Sequence, residues 1–92
     1  MAERDPTSGD LGRSHGFVVV GTDGPLGVVE TPLFPPNADE PDYLVVRRQR
    51  RIRTRHPVVH VSLVREVGRG VVSLRASSEQ VDRLPESLPL AI

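Results

Sequence analysis

The 92-residue sequence contains no cysteine, so disulfide scaffolds, Cys-ligated metal sites and thiol nucleophiles are excluded. Tryptophan is absent as well. With only one Tyr and two Phe, the core must be built from aliphatic side chains. No apolar run approaches the roughly 18–20 residues of a membrane-spanning helix, and no signal-peptide pattern opens the chain. We therefore expect a cytoplasmic protein without a membrane span.

Lysine is also missing, so all twelve basic residues are Arg, and they balance twelve acidic residues to a net charge of zero. The two signs are separated along the chain, because the segment from Tyr43 to Arg75 holds nine Arg and one acid. Such a separation steers partners more strongly than the net charge suggests. The exclusive use of Arg has two explanations: codon preference in a GC-rich genome, or a need for planar groups that recognise phosphate or carboxylate.

The sequence contains fifteen Val residues, which take the place of aromatic residues in the expected core. Val is unfavourable in helices and favourable on the pleated surface of a sheet. Nine Pro and eight Gly interrupt the chain too often for a long helix. The predicted fold is therefore all-β: a small β-barrel of five to six short strands with one short C-terminal helix.

A single domain over residues 16–86 is predicted from the length and from the distribution of apolar residues. Residues 1–15 contain one sizeable internal apolar residue, Leu11, and are expected to form a flexible N-terminal tail. Residues 87–92 are expected to form a short apolar C-terminal tail. The remaining core of about seventy residues is thin, which favours stabilisation by association.

Apolar runs bounded by turn residues mark the expected strands. They are Phe17–Val20, Leu26–Thr31, Tyr43–Arg47, Pro57–Leu63 and Val71–Arg75. Ile52–Arg55 is predicted to be a further extended stretch, and Val64–Val67 either continues the strand that begins at Pro57 or forms a turn. Asp23-Gly24 supplies a tight turn between the first two, and Gly27 predicts a bulge. Arg48–Arg51 is predicted to be a polar turn, because a strand there would place Arg on both faces.

A short helix is predicted after the last strand, because Ser77-Ser78-Glu79-Gln80 has the pattern of a capping box. In such a helix Val81 and Leu84 would share one face. Pro85 would end it, since proline cannot continue a helix.

The order of these elements resembles the PRC-barrel family. The matching segments are the Gly21-x-x-Gly24-x-x-Gly27-Val28-Val29 hairpin, Tyr43–Val46, His56–Val59 and the Ser77–Pro85 helix with its closing Leu84-Pro85. His56 departs from the pattern, because the residue before this proline is usually apolar. The resemblance implies a small barrel that acts as a binding and assembly module, often as a dimer. Some members sit at the cytoplasmic face of a membrane complex, and others bind a ribosomal protein during small-subunit maturation.

Six Arg within nine positions form the most prominent local feature, which we call the Arg cluster. Its members are Arg47, Arg48, Arg50, Arg51, Arg53 and Arg55, and Tyr43 is the one aromatic residue nearby. The cluster has three interpretations. In the first, the cluster is a solvated hairpin edge that prevents aggregation. In the second, it pairs with an acidic protein surface, or with the acidic loop Asp39–Asp42 of the same chain or of a second chain. In the third, it binds the phosphates of a nucleic acid. Single-strand binding usually adds stacking aromatics, which are scarce here.

These seven residues are the candidate partner-binding residues. The function expected from them is a non-catalytic module that mediates protein–protein association, as a homodimer or with another protein. The alternative is an RNA- or ribosome-associated factor that uses Arg47–Arg55.

Motifs of catalysis or cofactor binding are lacking in this sequence. No Ser lies in a G-x-S-x-G elbow, and the glycines from Gly21 to Gly27 lack the basic residue and helix of a phosphate loop. His56 and His60 have the spacing that binds zinc on a helix, but a strand would hold them roughly 13 Å apart. We therefore predict no enzymatic activity, metal, cofactor or small-molecule substrate.

Overall fold

The computed structural model describes residues 11–87, and within them the chain forms seven strands in one sheet with a single short α-helix. The strands are β1 (Val18–Gly21), β2 (Gly24–Leu33), β3 (Tyr43–Gln49), β4 (Thr54–Arg55), β5 (Val58–His60), β6 (Val64–Gly68) and β7 (Val71–Leu74). The helix is α1 (Ser78–Asp82), and two 3-10 turns span Leu11–Arg13 and Val61–Leu63. The prediction of an all-β fold with one short C-terminal helix is confirmed, with seven strands in place of five to six.

The strand order in the sheet is β4-β3-β2-β1-β7-β6. A short connection in the chain links the two edges of this sheet. All neighbours are antiparallel except β1 and β7, which run parallel. At one end β3 pairs with β5 along its first half and with β4 along its last two residues. At the other end lies β6, and the 3-10 turn Val61–Leu63 connects β5 directly to it. The sheet is thereby wrapped into a small barrel-like shape.

The core is aliphatic, as the composition requires. Its most deeply buried members come from β1, β2, β3, β5, β7 and the helix: Val19, Val29, Leu44, Val46, Val59, Val72, Leu74 and Val81. Along β3 the inward positions Leu44 and Val46 alternate with exposed or half-buried ones, as a pleated strand demands. Each buried Val or Leu contributes about 1.5–3 kcal/mol of transfer free energy, so the loss of one such side chain is large compared with the net stability of a small domain.

The bulge predicted at Gly27 is present. Val19 lies opposite Gly27 and Val20 opposite Pro25, so that Leu26 is the extra residue on β2. At this point β2 comes so close to β3 that a Cβ on Gly27 would lie 2.2 Å from the carbonyl oxygen of Arg47. Only glycine fits such a contact without moving one of the two strands.

The strand predicted over Pro57–Leu63 is wrong beyond His60. Here β5 ends, because the Nδ1 atom of His60 accepts a hydrogen bond from the backbone N–H of Ser62 at 3.0 Å. The side chain thus caps the 3-10 turn that follows. The chain then enters β6, which forms a hairpin with β7 across Arg69-Gly70.

The folded part begins earlier than predicted, at Leu11. This residue lies in the core at 2% exposure, and the hydroxyl of Ser14 donates to the Leu11 carbonyl at 2.6 Å. The buried side chain of Leu11 and the hydrogen bond within the turn therefore attach the segment from Leu11 to Ser14 to the domain. The rest of the predicted N-terminal tail, residues 1–10, and residues 88–92 of the C-terminal tail lie outside the described residues.

The capping box of α1 is confirmed. The Ser77 hydroxyl accepts from the backbone N–H of Gln80 at 3.3 Å, and the Gln80 side chain accepts from the backbone N–H of Ser77 at 2.8 Å. Val81 is fully buried, and after the helix the Pro85 carbonyl accepts from the backbone N–H of Val58 at 2.8 Å. Residues 84–86 therefore lie alongside β5. In the described part of the chain, no helix has the length and apolar character needed to span a membrane.

Candidate interaction site at the β3–β4 hairpin

The Arg cluster lies on a β-hairpin. β3 continues through Arg48 and Gln49, and β4 returns alongside these two residues, closed by a hydrogen bond from the Arg50 N–H to the Arg53 carbonyl. The polar turn predicted over Arg48–Arg51 is therefore wrong for its first two residues. The strand places Arg47 in solvent and Arg48 inward, so guanidinium groups do occupy both faces of the sheet.

Arg48 is a structural residue rather than a partner-binding one. It is only 5% exposed, its Nε donates to the Asp82 carboxylate at 2.8 Å, and its Nη1 donates to the Leu26 carbonyl at 2.9 Å. A buried charge is tolerated because it is paired and hydrogen-bonded. The contact ties β3 to β2 and to the end of α1.

Two further arginines bind the segment that follows α1. Arg53 reaches the Glu86 carboxylate at 2.8 Å, and Arg55 approaches the same carboxylate at 3.4 Å. Arg55 also donates to the backbone carbonyl of Asp82 through Nη1 and to that of Leu84, at 3.5 Å, through Nη2. These carbonyls are free to accept because they lie at the end of a helix. These contacts attach the hairpin to the end of α1 and to the segment after it.

The remaining cluster members are directed to solvent. Arg50 makes a looser contact with Asp82 at 3.5 Å, while Arg47 and Arg51 form no ion pair within residues 11–87. Tyr43 is not brought to the cluster, because it begins β3 and packs edge-on against His60 with ring centroids 5.0 Å apart. A seven-residue strand separates it from the hairpin by roughly 20 Å.

The turn Arg50–Arg53, which we call the hairpin tip, presents an apolar side chain that the sequence analysis did not identify as a site residue. Ile52 is 95% exposed. It borders an open depression of about 410 Å³ that is also lined by Arg50, Arg51, Arg53, Arg55 and Asp82. The signal was available, since an isolated isoleucine inside a run of Arg has no local packing role. No comparable sequence pattern identifies Asp82 and Glu86 as the acidic partners of the Arg cluster.

The two histidines of the predicted i,i+4 pair have separate partners. His56 Nδ1 lies 2.7 Å from the Glu30 carboxylate, and its backbone N–H donates to Glu86 at 2.8 Å. His60 caps the 3-10 turn instead. Across residues 11–87 no group of three or more His, Asp or Glu side chains is arranged to hold a metal ion.

The acidic side of this contact is held in its charged form. The backbone N–H of His56, followed by the Arg53 guanidinium, lowers the pKa of Glu86 to about 2. The hydrogen bond from Arg48 likewise lowers the pKa of Asp82. Both carboxylates therefore remain ionised, and able to pair with the hairpin arginines, well below neutral pH.

Acidification is expected to lower the free energy of unfolding as the pH falls from about 4.5 to about 2. The unfolded Glu86 takes up a proton near the first value and the folded one only near the second. In between, the unfolded state binds more protons and is favoured. In urea titrations at a series of pH values, Glu86→Gln should reduce this slope relative to wild type. An unchanged slope would contradict the contact with His56 and Arg53.

Comparison with known proteins adds no assignment. No protein-family model matches the chain, and no curated protein matches it. The function is therefore inferred from the hairpin tip and its surroundings.

Proposed function

We propose that this protein is a non-catalytic binding module, similar to PRC-barrel domains, that associates with a protein partner through the hairpin tip. The observation that carries the proposal is the 95% exposure of Ile52 between Arg51 and Arg53. Protein interfaces are typically built from an apolar anchor that enters a pocket, with Arg enriched around it. A solvated hairpin edge would not need an isoleucine at its tip.

The base of the hairpin prepares the tip for binding. Arg48 and Arg55 fix the two strands to α1 and the segment after it, so the turn between them is held in place. A surface that is already ordered loses less conformational entropy when a partner binds. The internal ion pairs therefore support binding although they remove two arginines from the accessible surface.

The charge of the tip defines the kind of surface that it fits. The side chain of Arg50 is 48% exposed and that of Arg53 63% exposed, and Arg51 has no partner within residues 11–87. These guanidinium groups favour an acidic surface around the pocket for Ile52. Charge complementarity of this kind increases association rates and weakens with salt.

Nucleic acid binding, the alternative function, has less support from this geometry. Three of the six arginines, Arg48, Arg53 and Arg55, already pair with Asp82 or Glu86, which reduces the number of phosphates that the cluster could neutralise. No aromatic residue lies at the tip to stack on a base, since Tyr43 is at the far end of β3.

A capture experiment with matched variants tests the proposal. Ile52→Asp should reduce the captured protein partner about tenfold or more, because a buried aliphatic side chain contributes about 1.5–3 kcal/mol. Arg69→Asp, an exposed charge reversal on the β6–β7 turn, should leave capture unchanged. Capture should also survive nuclease treatment. Material that disappears with nuclease, or that binds Ile52→Asp as well as wild type, would contradict the proposal.

A further inference from the structure

An apolar cleft lies at the opposite end of β3 from the hairpin tip. It measures about 200 Å³ and is lined by Leu33, Phe34, Pro35, Pro36, Asp42 and Tyr43, which we call the loop cleft. Phe34 is 46% exposed at its edge. A cavity of roughly 150 Å³ accommodates a benzene-sized apolar molecule, so the loop cleft has room for one aliphatic side chain.

The rim of the loop cleft carries the charge opposite to that of the hairpin tip. The backbone N–H of Asp42 donates to the Leu33 carbonyl at 3.0 Å, which fixes the position of this residue. Its side chain is exposed and forms no ion pair within residues 11–87, and Asp39 is also exposed nearby. At the hairpin tip, Arg51 is also exposed and likewise forms no ion pair in the described part of the chain. One end therefore offers an apolar side chain with a free cation, and the other an apolar cleft with a free anion.

The two ends cannot meet within one chain. β3 runs between them, with Tyr43 at the cleft and Gln49 next to the tip, which corresponds to a separation of roughly 20 Å. The interpretation in which the acidic loop Asp39–Asp42 neutralises the Arg cluster of its own chain is therefore wrong. That role belongs to Asp82 and Glu86. Only a second copy can bring the tip and the cleft together.

We propose that Ile52 of one copy inserts into the loop cleft of a second copy, with Arg51 of the first facing Asp42 of the second across the rim. This proposal rests on the proposed function of the hairpin tip, and it identifies the partner of the tip as a second copy of the chain. Each copy carries both surfaces, at the two ends of one strand. A two-fold dimer with antiparallel β3 strands would form both contacts at once, as a self-complementary interface requires.

Charge reversal at the two ends provides a sharp test, because both side chains are exposed and neither forms an ion pair within residues 11–87. Sedimentation equilibrium of wild type at low salt should give a dimer. Arg51→Asp and Asp42→Arg should each weaken it at least tenfold by placing like charges face to face. An equimolar mixture of the two variants should dimerise again, because each reversed tip then meets a reversed cleft. Arg69→Asp should dimerise as wild type does.

Restored dimerisation in the mixture would support the tip-to-cleft contact, since two independently defective surfaces do not repair each other. A wild-type chain that stays monomeric, or a dimer indifferent to both reversals, would overturn it. The capture experiment separates this failure from that of the proposed function. If the wild type is monomeric but still captures a different protein through Ile52, the tip-to-cleft dimer is refuted and the proposed function of the hairpin tip stands. If Ile52→Asp also has no effect on capture, both proposals fail.

Discussion

Replacement of Gly27 by alanine is expected to destabilise the protein by about 3 kcal/mol or more. The added Cβ would lie 2.2 Å from the carbonyl oxygen of Arg47, and this oxygen belongs to the backbone of β3, which cannot rotate away as a side chain would. Either β2 and β3 separate or the bulge at Leu26 is lost. Since a domain of this size has a total stability of about 5–14 kcal/mol, the loss is a large fraction of it.

Urea unfolding followed by circular dichroism measures this effect, with Gly68→Ala as the matched control. A Cβ on Gly68 in β6 would find its nearest neighbour, the Val71 carbonyl oxygen, at 4.0 Å, which is ordinary contact. We expect the control to change the unfolding free energy by less than about 1 kcal/mol. Equal losses for both variants would show that the clash at Gly27 is not the cause.

Arg48→Ala is expected to cost about 3 kcal/mol, the second-largest effect. It removes the donors that bind Asp82 and the Leu26 carbonyl, so an acceptor is left unsatisfied and the end of α1 is released from β3. The hairpin tip should loosen together with the core. Hydrogen exchange of the backbone amides from Arg50 to Thr54 should therefore accelerate more than the global loss of stability explains.

The neighbouring arginine provides the control for this variant. Arg47→Ala removes an exposed side chain without an ion pair in the described chain and should change stability by no more than about 0.5 kcal/mol. The double variant Arg48→Met with Asp82→Leu should recover part of the loss, since an apolar pair often replaces a buried ion pair without cost. If Arg48→Ala proved as mild as Arg47→Ala, the inward position of Arg48 would be contradicted.

The features predicted correctly are those in which the determining residues are near neighbours in sequence. Ser77 and Gln80 form the capping box within one helical turn, and Gly27 marks the bulge. The first hairpin turn lies one residue earlier than predicted, at Thr22-Asp23, with Gly24 as the first residue of β2. In each case the geometry of a few consecutive peptide units allows few residue types. Such preferences can be recognised without knowing what packs against the segment.

The failures concern residues whose partners are distant in sequence. The sequence predicts a turn at Arg48 because a strand there would place Arg on both faces of the sheet, and its inward position is possible only through Asp82 on α1. The division of the Arg cluster into internal and accessible members depends on Asp82 and Glu86 in the same way. Leu11 is held by the rest of the core, which the composition of the N-terminal segment does not reveal.

The parallel pairing of β1 with β7 has a consequence for how the chain reaches its folded state. Val18 pairs with Val71, so during synthesis β1 waits until β7 has been made before one of its edges is covered. Proteins dominated by such non-local contacts fold in milliseconds to seconds rather than microseconds. Until β7 arrives, the β1–β2 hairpin presents an open valine-rich edge, the kind of surface on which nascent chains aggregate. Conditions that slow translation after Gly70 should therefore increase misfolding more than the same delay imposed before Val18.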